Sequence, residues 1–280
     1  MYTFIICFAC LVTSYFIYSK LIERIAGVDA SIETPVYTSN DGVDYMPMPK
    51  YKLYLIHFSN IAGLGPIFGV IQGALFGPAA FLWIVLGTIF IGSVHDFFSG
   101  FLSLRNNDAT MPIIIEKYLG KTVQTFIAFI MIIGGILVTA TFSTGAADLL
   151  ANLTNTNAII WIIIIFVYFL TAAAFPVNKI IGKIYPIFGA LFLIMAASMM
   201  GGLLINPAYS IPELTTSGLY FTDKSIFPYL FVTIACGAIS GFHSTQTPIA
   251  ARCMENEEDA RPVFFGSMVL EFKWFIAKNT

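Results

Sequence analysis

The amino-acid sequence predicts an all-α polytopic membrane protein of about seven transmembrane helices with a partial eighth. Three observations carry that expectation. The 280 residues are 58% hydrophobic and only 11% charged, where soluble globular chains carry roughly 25% charged residues. Mean hydropathy is +0.82. Uninterrupted apolar runs approach or exceed the ~20 residues that cross a bilayer core. Net charge is −2 without a basic tract, so nothing points to nucleic acid, and the lipid bilayer is the expected partner.

The first apolar run, residues 3–22, has no basic segment before it, while Lys20 and Arg24 close it. That pattern predicts a retained anchor with its N-terminus outside. Cys7 and Cys10 form a CxxC inside this run, with no histidine nearby, and are expected to pack rather than bind metal. The second run, 53–77, carries His57, Ser59 and Asn60 and then a Gly63-Leu64-Gly65-Pro66 interruption. At 1.5 Å per residue this interruption lies roughly 15–20 Å in, near mid-bilayer. Pro66 suits the first position of a second half-helix, where its missing donor costs nothing.

The third run, 79–101, holds His95 and Asp96 toward its inner end. Runs at 122–150, 158–175 and 180–205 follow. The seventh, 225–248, begins apolar and then changes to Gly237, Ser240, Gly241, His243, Ser244, Thr245, Gln246, Thr247 and Pro248. Glycine loosens a helix and proline removes a donor. In hydrocarbon, backbone groups freed in this way need protein or a water-filled cavity to satisfy them. The partial eighth run is 263–277.

Eleven basic residues fall in loops on the inner side and Lys224 alone on the outer side, which follows the positive-inside rule. Residues 105–120 are expected as a long inner loop, and the acidic run 255–259 as a solvated face. The second and seventh runs are five apart and cross in opposite senses. Two interrupted helices so related predict an inverted five-helix repeat. The expected organisation is a single transmembrane domain over 1–280, with an anchor helix and cytoplasmic loop in 1–50. The first repeat then covers 51–205, and 225–280 begins a second.

Four stretches carry a family likeness: HFSNIAGLGPIFG at 57–69, GSVHDFFSGF at 92–101, KIYPIFGALFL at 183–193, and ACGAISGFHSTQTPIAARC at 235–253. The chain resembles the carbon starvation protein A family of membrane transporters from roughly Tyr51 to Leu270. The resemblance implies a secondary transporter of the cell membrane that takes up carboxylate-bearing nutrients in starvation. Peptides are the first reading of its substrate and proton-coupled uptake of pyruvate the second. It also implies kinship with the amino acid–polyamine–cation transporters and their inverted repeat. One departure is evident: the family continues after GSMVLE with glycine and further apolar helices, whereas this chain reads FKWFIAKNT. A truncated second repeat is therefore expected, and a non-transporting remnant or half of a split transporter is the third reading.

The candidate substrate-binding residues flank the two interruptions: His57, Ser59, Asn60, Gly63 and Gly65 on one, and Ser240, Gly241, His243, Ser244, Thr245 and Gln246 on the other. A half-helix N-terminus can face a carboxylate, and polar side chains with unwound carbonyls can hold an amine or a proton. For the glycines, close helix packing is an equal alternative. His57, His95, Asp96 and His243 are the proton-coupling candidates, since ionisable groups within a bilayer usually face a pathway and imidazole exchanges a proton near neutrality. For His95 and Asp96 a local pair or an inner-gate bond stands equal to coupling. Proton and sodium both remain open as the coupling ion. No Ser/His/Asp arrangement and no HExxH occurs, so an enzyme, a cofactor and a metal site are not expected.

Overall fold

A computed structural model describes residues 2–39, 41, 44–62, 69, 72–73, 75–174, 178–205, 213–214, 225–238 and 243–270. Every regular element among them is helical. Apart from single turns at Pro35–Thr38 and Glu257–Asp259, the α-helices in chain order are α1 (Tyr2–Phe16), α2 (Tyr18–Ala26), α3 (Lys50–Ile61), α4 (Ala79–Gly87), α5 (Ser93–Arg105), α6 (Met111–Leu119), α7 (Lys121–Thr154), α8 (Ala158–Ala174), α9 (Asn178–Ile205), α10 (Ile226–Ala238) and α11 (His243–Ala251). Short π-helical segments occupy Thr88–Gly92, joining α4 to α5, and Arg261–Gly266.

Three described helices are long and apolar enough to cross a membrane: Tyr2–Ala26, Ala79–Arg105 and Lys121–Thr154. The all-α membrane class is therefore as expected. Residues 63–68 and 239–242, which hold most of the two expected interruptions, lie outside the described residues, while Gly237, where the second was expected to begin, is still helical in α10. Helix α3 ends at Ile61, with Ala62 off-helix at ψ 57°, and α11 starts on His243. Loop 105–120 is not all loop, since α6 occupies most of it, with Pro112 in its first turn and Gly120 after its end.

The chain divides into two compact units, Met1–Ala109 with Ile184–Thr280, and Thr110–Lys183. In the second unit α6 and α8 pack on α7. Helix α7 has 34 residues, a length of about 51 Å, and no part of its most apolar window is buried. Phe126, Phe129, Ile132 and Ile136 stand exposed on it, a surface suited to lipid.

The first unit holds the core. Phe58, Phe81, Phe97, Phe264 and Phe265 are all but fully buried, and Phe97 stacks on Phe101 at 5.6 Å. Helix α1 is capped by Glu213, whose carboxylate accepts from the Tyr2 and Thr3 N–H groups, each at 2.9 Å, and from Thr3 Oγ1 at 2.6 Å. An anion there complements the positive end of the helix dipole. Gly27, at φ 69°, closes α2 by donating to Arg24 O while Val28 N–H donates to Glu23 O. A left-handed residue at this position favours glycine.

The far ends of α2, α3 and α5 meet the segment after α11 through ion pairs. Arg105 grips both carboxylate oxygens of Glu257, with its Nη2 at 2.7 Å from one, and also donates to Gly27 O at 2.9 Å. The Asp29 N–H adds a bond to the same carboxylate. Lys50 pairs with Asp259 at 2.8 Å and Arg261 with Glu23 at 2.9 Å. The solvated reading of 255–259 holds for Glu255 and Glu258, which are exposed, and is corrected for Glu257, which is 1% exposed. Fork-shaped guanidinium contacts are the strong kind, and loss of a buried partner leaves a charge unmet. Glu257→Gln is expected to lower stability by about 2 kcal/mol. Asp259→Asn, whose partner Lys50 is largely exposed, should cost under about 1 kcal/mol. Unfolding midpoints in detergent check the difference, and equal losses would remove the special role of Glu257.

Candidate functional site

Helix α3 turns Leu53, Ile56, His57 and Ile61 into the core, a 3.6-residue stripe in which the histidine takes an apolar position. Helix α5 buries Ser93, Asp96, Ser99, Gly100 and Ser103 along one side. Such small residues let a neighbouring helix approach closely. That neighbour is α11, the most extensive partner of α5, which buries His243, Ser244, Thr247, Ala250 and Ala251.

These three helices converge on one carboxylate. Asp96 is fully buried; its Oδ2 lies 3.2 Å from His57 Nε2 and its Oδ1 lies 3.4 Å from His243 Nδ1. The His95 ring, 36% exposed, stands at the margin with Nδ1 3.8 Å from Oδ1. The chain has only three histidines, and all three lie on Asp96. The His57 bond has hydrogen-bond geometry, whereas the His243 contact has ion-pair distance without that alignment. His57 is held from behind by Phe264, whose ring meets the imidazole edge-on at 5.1 Å.

Further polar atoms here are buried without a hydrogen-bond partner among the described residues: His57 Nδ1, Thr88 Oγ1, Ser93 Oγ and Thr247 Oγ1. Each such group costs about 1–3 kcal/mol. They sit on α3, on the π-helical turn before α5, on α5 and on α11, and such a group in a native fold calls for an explanation other than stability. The π-helical turn Thr88–Gly92 directly precedes Ser93, and wide turns of this kind recur at functional sites.

The other candidates are dispersed. Ser59 Oγ donates to Leu55 O at 2.7 Å within its own helix and sits against Gly189, where an added Cβ would lie 2.6 Å from Oγ. Asn60 is half-buried, Thr245 is exposed, and Gln246, half-buried, donates to Thr245 Oγ1 at 3.0 Å. Gly63, Gly65, Ser240 and Gly241 lie outside the described residues. Sequence reasoning missed Thr88, Ser93, Gly100 and Phe264. The available signal was faint: each π-helical segment closes on a Gly-Ser pair, Gly92-Ser93 and Gly266-Ser267.

Fold and cluster together define an all-α membrane protein with a shared carboxylate–imidazole site inside its helix bundle. The chain belongs to the carbon starvation protein CstA family, whose model matches residues 1–159 and 143–277. It is 41% identical to an uncharacterized membrane protein of Haemophilus influenzae, covering 97% of this chain and 87% of that one. It is 27% identical to the pyruvate/proton symporter BtsT of Escherichia coli, over 92% of this chain and 45% of the symporter. Identity to the peptide transporter CstA of Helicobacter pylori strain J99 is 29%, over 92% and 47%. The chain thus spans somewhat less than half the length of these two transporters. No solved structure matches it. Three of the four stretches that carry the family likeness supply His57, Asp96 and His243, and the fourth supplies Gly189 and Phe192, which pack on Ser59 and Phe58.

Proposed function

We propose that this chain forms the proton-coupling, carboxylate-binding part of a secondary transporter of the cell membrane that takes up small carboxylate-bearing nutrients, peptides foremost. The observation that carries this reading is the buried His57–Asp96–His243 cluster. With both imidazoles neutral and Asp96 ionised, the cluster bears one negative charge; one added proton neutralises it. A substrate carboxylate about 6 Å away would feel that change as roughly 2–3 kcal/mol at an effective dielectric constant near 20. That is on the order of a hundredfold in affinity, so proton and substrate would bind together and leave together. Sodium fits less well, because hard cations take oxygen ligands and two of the three groups here are imidazoles. Pyruvate is the second substrate reading, favoured by the name of the Escherichia coli relative.

In this reading α3 and α10 are the first half-helices of the two interrupted spans and α11 the second half of the later one; they rock together against the other helices, with the N-terminus outside. Residues 51–205 and 225–280 are then the first repeat and the beginning of the second. The support is that both interrupted spans bring a histidine to the same carboxylate. Liposomes carrying the chain should accumulate labelled dialanine or labelled pyruvate only under an inward proton gradient. His57→Gln and His243→Gln should each lower the initial rate by about tenfold or more, the loss of ~1.4 kcal/mol of coupling. Uptake that ignores both the gradient and both substitutions, or no uptake of either solute, would remove the reading.

A further inference from the structure

Asp96 and His243 link α5 to α11; a second pair of charged residues stands just past the C-terminal ends of the same two helices. Twelve residues beyond Asp96 comes Asp108, and nine beyond His243 comes Arg252. Asp108 is 3% exposed, and neither of its carboxylate oxygens has a hydrogen-bond partner among the described residues. Arg252 lies close enough for its charge to act on Asp108, yet its Nε is likewise buried without a partner. Two complementary groups stand near each other unjoined.

The backbone explains why the carboxylate does not swing across. Asp108 N–H donates to Ser103 O at 2.8 Å, and Ser103 Oγ donates to Ala109 O at 3.0 Å. Asn107 and Asp108 are both left-handed, at φ 53° and 56°, a conformation that Asn and Asp adopt more readily than other residues with a Cβ. The turn therefore fixes the backbone from which the side chain projects.

We infer that Asp108 is a second proton-binding site of this chain, placed in series with Asp96 on the side that the basic-residue distribution assigns to the inside. Its role as the station that receives the cluster's proton rests on the transporter reading; its titration does not. The groups facing it are Arg252 and Cys253 at the end of α11, with Asp44 beyond them, whose carbonyl oxygen accepts from Cys253 Sγ at 3.6 Å. Arg105, on the same side of the loop, is committed to Glu257. Burial pushes the Asp108 carboxyl up to about 7, against the opposing pull of Arg252, while burial keeps the Cys253 thiol neutral by raising it too. A carboxyl raised on folding binds its proton more tightly when folded. The stability it contributes is therefore fully present below about 3.8, falls as pH rises from there, and is lost once pH has passed about 7.

Asp108→Asn keeps the neutral shape and tolerates the left-handed turn. With purified protein in detergent, the wild-type unfolding temperature is expected to fall between about pH 3.5 and about pH 8 by more than that of the variant. The variant should equal the wild type at the acid end and exceed it at the alkaline end. Asp96→Asn should leave this difference in place, which separates the inference from the transporter reading. Superimposable profiles for wild type and Asp108→Asn would overturn it. If Asp108→Asn does not fold, infrared difference spectra of aspartate-labelled wild type decide. A protonated-carboxyl band lost with a midpoint near 7, and retained in Asp96→Asn, supports the site; absence of that midpoint overturns it.

Discussion

Asp96→Asn is expected to lower gradient-driven uptake by about a hundredfold, the largest functional effect of any single substitution in this chain. The amide keeps the volume of the carboxyl and still offers an oxygen to His57 Nε2–H. It holds no charge, so under the proposed mechanism adding a proton would no longer switch the cluster from repelling a substrate carboxylate to tolerating it. Stability should change far less, by about 1–2 kcal/mol, because the amide oxygen still serves as a partner for His57. Asp96→Ala removes that partner and leaves a cavity as well, and should cost about 3 kcal/mol. Initial uptake rates in liposomes at a fixed gradient, with unfolding midpoints from the same preparation, separate the two effects. A variant that folds as the wild type does and retains more than half of its rate would show that Asp96 is a structural anchor and not the coupling group.

The fold class was legible because hydropathy is a property of whole runs, and eleven-against-one charge asymmetry needs no partner to be visible. His57, Asp96 and His243 were each legible as ionisable residues placed where lipid or a tight core would penalise them. Their meeting was not: His57 and Asp96 are 39 positions apart, and nothing local records which helix faces which. Glu257 shows the same limit in reverse. Beside Glu255, Glu258 and Asp259 it looks like one more solvated acid, and only Arg105, 152 positions away, makes it a buried one. The π-helical segments escaped for a different reason. One extra residue in a turn shifts the apolar stripe without breaking it, so a 3.6-residue pattern passes through Thr88–Gly92 unmarked. Helix α6, by contrast, was readable from its ends, with Pro112 in the first turn and Gly120 beyond the last.

Gly100→Ala is expected to cost about 2 kcal/mol and to lower uptake along with stability, although alanine is the better helix former by about 1 kcal/mol. The reason is a ring. A Cβ at position 100 would fall against three atoms of the Phe264 side chain, and Phe264 is wholly buried. Its other neighbour is His57, edge-on at 5.1 Å, so a ring displaced from α5 moves the imidazole that Asp96 depends on. A stiff aromatic with two torsions has little freedom to yield, and overpacked cores relax through such shifts. Gly134→Ala in α7 is the control: nothing lies within 4 Å of its would-be Cβ, so propensity acts alone and stability should hold or rise slightly. Shrinking the ring should then repair the fault, with Gly100→Ala/Phe264→Leu more stable than the sum of the two single changes by at least about 1 kcal/mol. Unfolding midpoints of the four variants and uptake rates of the single and double changes measure this. Equal effects at Gly100 and Gly134, or strict additivity with Phe264→Leu, would mean that the α5–Phe264 contact does not position His57. His57 would then have to be held by α3 alone.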